Sequence, residues 1–200
     1  MKRSLSKKLS WLLRHGASDE GIPMDAAGWV RVDHLLAHLS ISRETLEELV
    51  RTNTKQRIQV EGSRVRACQG HSFSVPVTRE ALEASWAPYG TEEPAWHGTS
   101  VDAVSSIAAE GILPRQRTHV HLAPSTDSAV GKRSNVHVLL RVSPSRMSAA
   151  ARALFVSPNG VVLAREVPAA CIDGVHCVSK KARAQADAFA SLFRVSATRS

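Results

Sequence analysis

The amino-acid sequence predicts an α+β protein with two lobes joined by a linker. Amphipathic helices and one β-hairpin account for the first part of the chain, whereas short strands dominate the second part. Between these parts, residues 86–94 are rich in turn-forming residues and show no periodicity. We therefore predict a first lobe over residues 1–75, a linker over 76–94 and a second lobe over 95–200.

The composition narrows the class of protein. A chain of 200 residues with 43% hydrophobic content is long enough to bury a core. No apolar run resembles a signal peptide or a membrane span, and the three cysteines lack the CxxC spacing of a zinc site. We therefore expect a soluble, cytoplasmic protein without a membrane partner.

The charge is unevenly distributed. The formal net charge is +8, and five basic side chains precede the first acidic residue, Asp19. This distribution favours a polyanionic partner, although a solvated basic face would give the same pattern. The charge by itself predicts no chemistry.

Three helices are predicted in the first lobe. Leucines at i, i+4, i+7 and i+8 indicate an amphipathic helix over residues 4–15, with Arg14 and His15 on its last turn. Gly16 is expected to end this helix as a left-handed C′ residue. The same spacing predicts a second helix around 32–39 and a third around 46–50, for which Ser42 is the expected N-cap.

A β-hairpin follows these helices. Residues 57–60 and 63–68 alternate between apolar and polar side chains on either side of a Glu61-Gly62 turn. A two-residue loop at this turn would pair Ile58 with Val65, with apolar side chains on one face of the hairpin. Three helices followed by such a hairpin predict a winged helix.

The same pairing would place Arg57 directly opposite Arg66, with Arg64 on the same face. Like charges opposite each other destabilise a ladder. Two explanations are open at this point: an anion compensates the charge, or the arginine side chains turn away from each other into water.

The second lobe is predicted from a series of short strands. They are expected at residues 95–99, 119–122, 136–142, 153–156, 161–165 and 170–178, with a helix between Ser100 and Gly111. The strand at 119–122 would place His119 and His121 on one face, and His97 lies on another strand. Three histidines suggest a metal site, but no nearby Asp, Glu or Cys completes a ligand set, so we expect no metal.

Six motifs occur in an order that resembles one family, the RNA 2′-phosphotransferases of the tRNA-splicing type. The resemblance covers roughly residues 4–178 and includes two departures, Gly16 after the Arg-His pair and Cys68 at a usually small or polar position. The motifs are LLRH at 12–15, GWV at 28–30, KQR at 55–57, RACQGHS at 66–72, HGT at 97–99 and RTHVHL at 117–122.

The resemblance implies a winged-helix lobe that binds RNA and an ADP-ribosyltransferase-like lobe that binds NAD⁺ as a co-substrate. It assigns the catalytic roles to Arg14, His15, Arg57 and Arg117. It assigns NAD⁺ binding to His97, Gly98, Thr99, His119 and His121. We predict further RNA contacts from the basic first helix and the wing at Lys8, Arg64, Arg66, Gln69 and His71.

The resemblance also implies a reaction. An internal RNA 2′-phosphate would be transferred to NAD⁺ through an ADP-ribosylated RNA intermediate, giving 2′-hydroxyl RNA, nicotinamide and ADP-ribose 1″,2″-cyclic phosphate. Two alternatives are an ADP-ribosyltransferase acting on protein or nucleic-acid phosphate ends, and a non-enzymatic winged-helix nucleic-acid binder. Related protein-modifying enzymes commonly carry a glutamate on a later strand, and residues 159–163 contain none, which favours phosphotransfer.

Overall fold

The computed structural model describes residues 2–132 and 135–199, and for residues 2–4, 197 and 199 it describes the backbone alone. The predicted outer limits of the lobes, 1 and 200, and the basic side chains of Lys2 and Arg3 therefore lie outside the described part. Helices and small, mostly antiparallel sheets alternate along the chain, which agrees with the predicted α+β class.

The chain divides into two compact units. Unit 1 comprises Met1–Ala87, Arg115–Thr118 and Ser157–Asn159, and unit 2 comprises Pro88–Pro114, His119–Val156 and Gly160–Ser200. Two short segments from the later part of the chain thus cluster with unit 1. The predicted linker, 76–94, contains a helix of unit 1. Thr78 caps the start of this helix, since its hydroxyl accepts a hydrogen bond from the Ala81 amide at 3.2 Å.

The helices of unit 1 lie close to their predicted positions. Ser42 is confirmed as an N-cap, since its hydroxyl accepts a hydrogen bond from the Thr45 amide at 3.3 Å. The helices are α1 (Lys2–Trp11), which continues into a wider π-helical turn (Leu12–Gly16), α2 (Val32–Leu39), α3 (Arg43–Arg51) and α4 (Arg79–Ala84).

Gly16 does not act as the predicted left-handed C′ residue. It lies inside the π-helical turn, and Ala17 after it is right-handed with φ −58°. Packing explains the glycine instead, because a Cβ atom at Gly16 would lie 2.4 Å from two ring atoms of Trp11. Trp11 therefore requires a residue without a side chain at this position.

The hairpin of unit 1 is present, but its predicted register is wrong by two residues. It consists of β2 (Ile58–Glu61) and β3 (Arg64–Ala67), and β1 (Val30–Arg31) completes a three-stranded sheet in the order β1-β3-β2. The loop is Gly62-Ser63, so that Gln59 faces Arg66 and Glu61 faces Arg64. Gly62 has φ +56° at the first loop position, which a type II′ turn requires and which Glu61 would adopt only with strain. The predicted opposition of Arg57 and Arg66 therefore does not exist.

Unit 2 is built around two four-stranded sheets. One sheet has the order β11-β10-β7-β5, and the other has the order β4-β8-β9-β6. The strands are β4 (Ala87–Pro88) at the boundary of the units, β5 (Ala95–Thr99), β6 (Val120–Leu122), β7 (Val138–Val142), β8 (Phe155–Val156), β9 (Val162–Ala164), β10 (Ile172–Cys177) and β11 (Ala197–Arg199).

The core of unit 2 is aliphatic. Leu122, Leu140, Val162 and Ile172 are completely buried in one cluster, to which Phe189 also belongs. Edge strands β5 and β6 are joined by two hydrogen bonds of 2.8 Å between the backbones of Trp96 and Ala123. The helices are α5 (Val104–Glu110), α6 (Pro144–Ala149), α7 (Lys180–Arg183) and α8 (Ala186–Phe193). Within the described residues, no helix combines the length and the apolar character that crossing a membrane requires.

Candidate active site

Arg14 and His15 lie on the π-helical turn of unit 1, where the loop after β3 holds their backbone. The Ser72 amide donates to the Arg14 carbonyl oxygen at 3.0 Å, and the Ser74 hydroxyl donates to the His15 carbonyl oxygen at 2.8 Å. A wider turn leaves backbone carbonyls available to partners outside the helix. The loop thereby fixes the backbone positions of Arg14 and His15.

The same loop determines which nitrogen of His15 carries a proton. The Ser74 hydroxyl gives its proton to the His15 carbonyl oxygen. The single proton of Ser72 Oγ has two oxygen acceptors, Ser74 Oγ at 2.5 Å and the Arg14 carbonyl oxygen at 3.4 Å. Because a hydroxyl has one proton, Ser72 accepts in its 3.0 Å contact with His15 Nδ1. His15 is therefore protonated at Nδ1, and its Nε2 is available to a ligand.

Arg14 is held in a partly buried position without full hydrogen bonding. Its Nη2 donates to Gln69 Oε1 at 3.4 Å, whereas its Nε is buried and has no hydrogen-bond partner among the described residues. A Cβ atom at Gly70, which has φ +90°, would lie 3.3 Å from this Nε, so glycine leaves room for the guanidinium. Burial and the charges of Arg57 and Arg117 lower the pKa of Arg14 to about 10.

Arg57 and Arg117 enter the site on different segments. Arg57 precedes β2, and its carbonyl oxygen accepts a hydrogen bond from the Cys68 amide at 2.9 Å. Arg117 pairs with Ser72 in an isolated antiparallel bridge. The amide of the next residue, Thr118, donates a hydrogen bond to the His71 carbonyl oxygen at 2.9 Å. Burial and the Arg57 charge lower the pKa of Arg117.

The structure therefore brings together all four residues that were predicted to be catalytic. Burial, followed by the charges of Arg14 and Arg117, lowers the pKa of the His15 imidazole. Among the described residues, no carboxylate forms an ion pair with Arg14 or Arg57. A cluster of mutually repelling cations with a buried unpaired donor is suited to a multivalent anion.

The residues predicted to contact RNA are divided between surface and interior. Lys8 and Arg64 are exposed, and the Arg64 guanidinium lies over the Trp29 ring at 4.8 Å. Arg66, by contrast, is 3% exposed and lies 4.4 Å from the centre of the same ring. Its guanidinium donates to Gln59, Ala27 and Ser85. The other two residues, Gln69 and His71, are buried.

The residues predicted to bind NAD⁺ lie in unit 2, around the junction of β5 and β6. His97 Nδ1 lies 3.4 Å from the His121 carbonyl oxygen, and both side chains are partly exposed. Thr99 and His119 are buried, and a Cβ atom at Gly98 would lie 2.7 Å from Val136. No three His, Cys, Asp or Glu residues converge as a metal site in the described part of the chain.

Sequence reasoning missed several residues that hold the site. Ser72 and Ser74 orient His15, and their i, i+2 spacing was the available signal, because it places both side chains on one side of an extended loop. Asn159 lies in the stretch that lacks a glutamate, and its amide donates to the Lys55 carbonyl oxygen at 2.9 Å. It thereby supports the segment that carries Arg57.

The α+β fold and the arginine–histidine cluster define a class of protein, one whose grouped guanidinium donors are suited to an anion such as phosphate. The chain also matches a family described as RNA 2′-phosphotransferase, Tpt1 / KptA family, over residues 1–166. It therefore belongs to this family of enzymes.

Individual relatives agree with this assignment. A protein of Burkholderia lata named probable RNA 2′-phosphotransferase is 40% identical over 174 residues, which cover 82% of this chain and 87% of that protein. A protein of the same name from Pseudomonas syringae is 39% identical over 175 residues, 82% and 89% of the two chains. A third, from Streptomyces coelicolor, is 38% identical over 172 residues, 82% and 90%.

Proposed function

We propose that this protein is an NAD⁺-dependent enzyme that removes an internal 2′-phosphate from RNA. The observation that carries the proposal is the cluster of Arg14, His15, Arg57 and Arg117, which includes a buried guanidinium nitrogen without a partner. A phosphate dianion would supply the missing acceptor and relieve the repulsion between the arginines. Membership of the RNA 2′-phosphotransferase family supports RNA as the carrier of that phosphate.

The two units would divide the binding of the substrates. We propose that unit 1, with helices α1 to α3 and the β2–β3 wing, is a winged-helix lobe that binds RNA. Lys8 and Arg64 are its exposed candidates for contacts with RNA phosphates. Arg66, Gln69 and His71 would support the site from inside, because they are buried.

Unit 2 would be the ADP-ribosyltransferase-like lobe. The residues present fit an NAD⁺ site in one respect, because His97 and His121 are both partly exposed at the edges of two sheets, where His97 Nδ1 lies 3.4 Å from the His121 carbonyl oxygen. We propose that these two side chains, with Gly98, Thr99 and His119, bind NAD⁺. This co-substrate would supply the electrophilic ribose carbon of the reaction.

The first chemical step needs placement rather than a base. An oxygen of the RNA 2′-phosphate attacks the anomeric carbon of the nicotinamide ribose, and the bond to nicotinamide breaks. The nucleophile is already an anion, so the arginines would contribute by orienting it. Arginine suits this role because its planar fork contacts two phosphate oxygens and remains charged.

The second step would require the cluster more strongly. A ribose hydroxyl of the ADP-ribose attacks phosphorus, the bond to the RNA 2′-oxygen breaks, and the hydroxyl proton is transferred to that leaving oxygen. His15 Nε2 is available to carry this proton, because Nδ1 is engaged by Ser72. Negative charge accumulates on phosphoryl oxygens during this step, where guanidinium donors stabilise it.

The proposal is tested by incubating the protein with a short RNA that carries one internal 2′-phosphate, with and without NAD⁺. We expect mass spectrometry to show 2′-hydroxyl RNA, nicotinamide and ADP-ribose 1″,2″-cyclic phosphate only when NAD⁺ is present. A stable ADP-ribosyl adduct as the end product would instead identify an ADP-ribosyltransferase, and unchanged NAD⁺ would identify a binding protein.

The proposal includes no metal. Arg14, Arg57 and Arg117 would supply the positive charge that a divalent ion supplies in other phosphotransfer enzymes. We therefore expect product formation to continue at the same rate after treatment with EDTA. Recovery of a chelated enzyme only on addition of a divalent ion would contradict this part of the proposal.

A further inference from the structure

Phe73 is the most exposed large apolar side chain of unit 1 in the described part of the chain, at 57% exposure. It lies between Ser72 and Ser74, the two residues whose hydroxyls orient His15. Neighbouring Cα atoms are about 3.8 Å apart, so the Phe73 backbone lies next to the residues that contact His15, and alternation along the extended loop places the phenyl ring on the other side from the two hydroxyls. Nothing in the proposed chemistry uses this ring.

The Phe73 ring is supported from one side. The Arg79 guanidinium lies over the ring, with Cζ at 5.2 Å from the centroid. Arg79 is itself anchored, because its Nε donates to the Thr118 carbonyl oxygen at 3.0 Å, one residue after Arg117. This contact holds the ring in a defined orientation beside the cluster, and the exposure of the side chain shows that the rest of the ring faces solvent.

We propose that Phe73 is a stacking platform for the RNA base next to the 2′-phosphorylated nucleotide. Single-stranded RNA is recognised where aromatic rings alternate with cationic side chains, since bases stack on the rings while phosphates contact the cations. Phe73 has this arrangement, because the Arg79 guanidinium contacts its ring and its two neighbours in sequence, Ser72 and Ser74, contact His15. The base would stack on the ring face opposite Arg79, so that a guanidinium, a phenyl ring and a base form three layers.

The chemistry of the platform defines its selectivity. Stacking uses the face of a base, which all four bases possess, and the Phe73 side chain offers no hydrogen-bonding group to read a base edge. The enzyme is therefore expected to accept any base at this position and to discriminate against the absence of a base. This inference rests on the proposed function, because it assumes that RNA carries the bound phosphate.

The test uses single-stranded oligonucleotides with one 2′-phosphate that have either a base or an abasic site at the 5′ or the 3′ neighbouring position. Their dissociation constants are measured with the full-length protein at constant salt. The wild type is expected to bind the oligonucleotide with a base about 5- to 100-fold more tightly at one of the two positions. Phe73→Leu should bind both oligonucleotides equally, whereas Phe73→Trp should restore the preference.

Two controls separate the platform from other effects. Leu192→Ala removes another exposed apolar side chain, 46% exposed and located in unit 2, and should leave the base preference unchanged. The melting temperature of Phe73→Leu should equal that of the wild type, because an exposed ring contributes little to the core. NAD⁺ affinity is measured for the same variants.

The outcomes are distinguishable. If Phe73→Leu retains the wild-type preference for a base, or if it weakens NAD⁺ rather than RNA, the platform is refuted. If the wild type prefers a base and Phe73→Leu does not, the platform is supported. Release of the 2′-phosphate by the wild type is scored separately, so a failure of the proposed reaction would be recognised without reference to Phe73.

Discussion

The arginines of the candidate site in unit 1 and two arginines of unit 2 have opposite environments. In unit 2, Arg141 donates two hydrogen bonds to Asp173, at 2.7 and 3.1 Å, and Arg152 forms an ion pair with Glu166 at 2.9 Å. In unit 1, no carboxylate among the described residues pairs with Arg14 or Arg57. A guanidinium group paired with a carboxylate stabilises the fold. A buried guanidinium group without a carboxylate lowers the free energy of unfolding until an anionic ligand binds to it.

The contrast is also present within unit 1. The exposed Arg43 pairs with Glu47 one helical turn away, at 3.0 Å, in the ordinary manner of a surface arginine. Uncompensated cations therefore do not follow from the basic composition of the chain. They occur where the π-helical turn, the segment before β2 and the segment of Arg117 come together.

Arg14→Met is expected to give the largest effect and to separate activity from stability. Loss of a phosphate donor should lower the transfer rate by about 10³-fold. The free energy of unfolding should rise by about 1–3 kcal/mol, because an unsatisfied buried group and its repulsion with Arg57 and Arg117 are removed. Single-turnover rates and chemical denaturation measure the two quantities.

The matched control is Arg141→Met in unit 2. It should lower the free energy of unfolding by about 1 kcal/mol, because Asp173 loses a two-fold hydrogen-bonded partner. The transfer rate should not change, since Arg141 alternates with Leu140 and lies on the opposite face of the sheet from His97. If both substitutions lower stability equally, the contrast between the units is wrong.

Arg57→Ala tests whether the cluster acts mainly in the second step. The RNA phosphate remains a nucleophile in this variant, whereas a donor to the phosphoryl oxygens is lost, so the second step should slow by about 10²–10³-fold. ADP-ribosylated 2′-phospho-RNA should therefore accumulate with excess NAD⁺ and remain scarce in the wild type. Gel analysis over a time course detects the adduct.

His97→Ala in unit 2 is the comparison for this experiment. It should slow the first step by weakening NAD⁺ placement and give little adduct at any time. If Arg57→Ala consumes RNA slowly and no adduct is found, Arg57 acts in binding or in the first step instead.

Ser72→Ala is expected to have a smaller effect through His15. Without the hydroxyl that accepts from Nδ1, the imidazole loses its defined orientation and tautomer, which should cost about 10-fold in rate. Ser72→Thr keeps an acceptor and should recover part of the rate. NMR of the His15 ring nitrogens checks the mechanism: an unchanged Nδ1–H tautomer in Ser72→Ala would contradict it.

The smallest expected effect is the dependence of stability on pH that His15 contributes. Its pKa in the folded state lies below the ordinary value of 6.5, because burial and the neighbouring arginines disfavour the imidazolium. The free energy of unfolding that the neutral His15 contributes is fully present above pH 6.5 and is lost as the pH falls through the folded pKa. The difference in unfolding free energy between wild type and His15→Gln, measured across this range, isolates the contribution.

Inorganic phosphate provides a second measurement on the same residue. A bound anion opposes the repulsion from Arg14 and Arg117, so NMR titration should show a higher pKa for His15 when phosphate is present. Phosphate should also raise the melting temperature of the wild type more than that of Arg14→Met. A His15 pKa that does not respond to phosphate would place the anion elsewhere.

The local elements of this protein were predictable from the sequence by itself, because they depend on near neighbours. Apolar spacing located α2 and α3, the hydroxyl of Ser42 located a helix start, and alternation located the β2–β3 hairpin. The motifs around Arg14, Arg57 and Arg117 identified the family and the four clustered residues. These features require only that residues a few positions apart share a face or a turn.

Features that join distant parts of the chain were decided by the tertiary structure. The register of the β2–β3 hairpin depends on the left-handed conformation of Gly62, which placed Arg66 opposite Gln59 instead of Arg57. Arg117 joined unit 1 through its bridge to Ser72, although the chain on either side of Arg115–Thr118 belongs to unit 2. The tautomer of His15 follows from hydroxyls almost 60 positions away, with sequence separations of 57 and 59 residues. Such contacts form only when packing brings separate segments together, and no periodicity in the sequence records which segments meet.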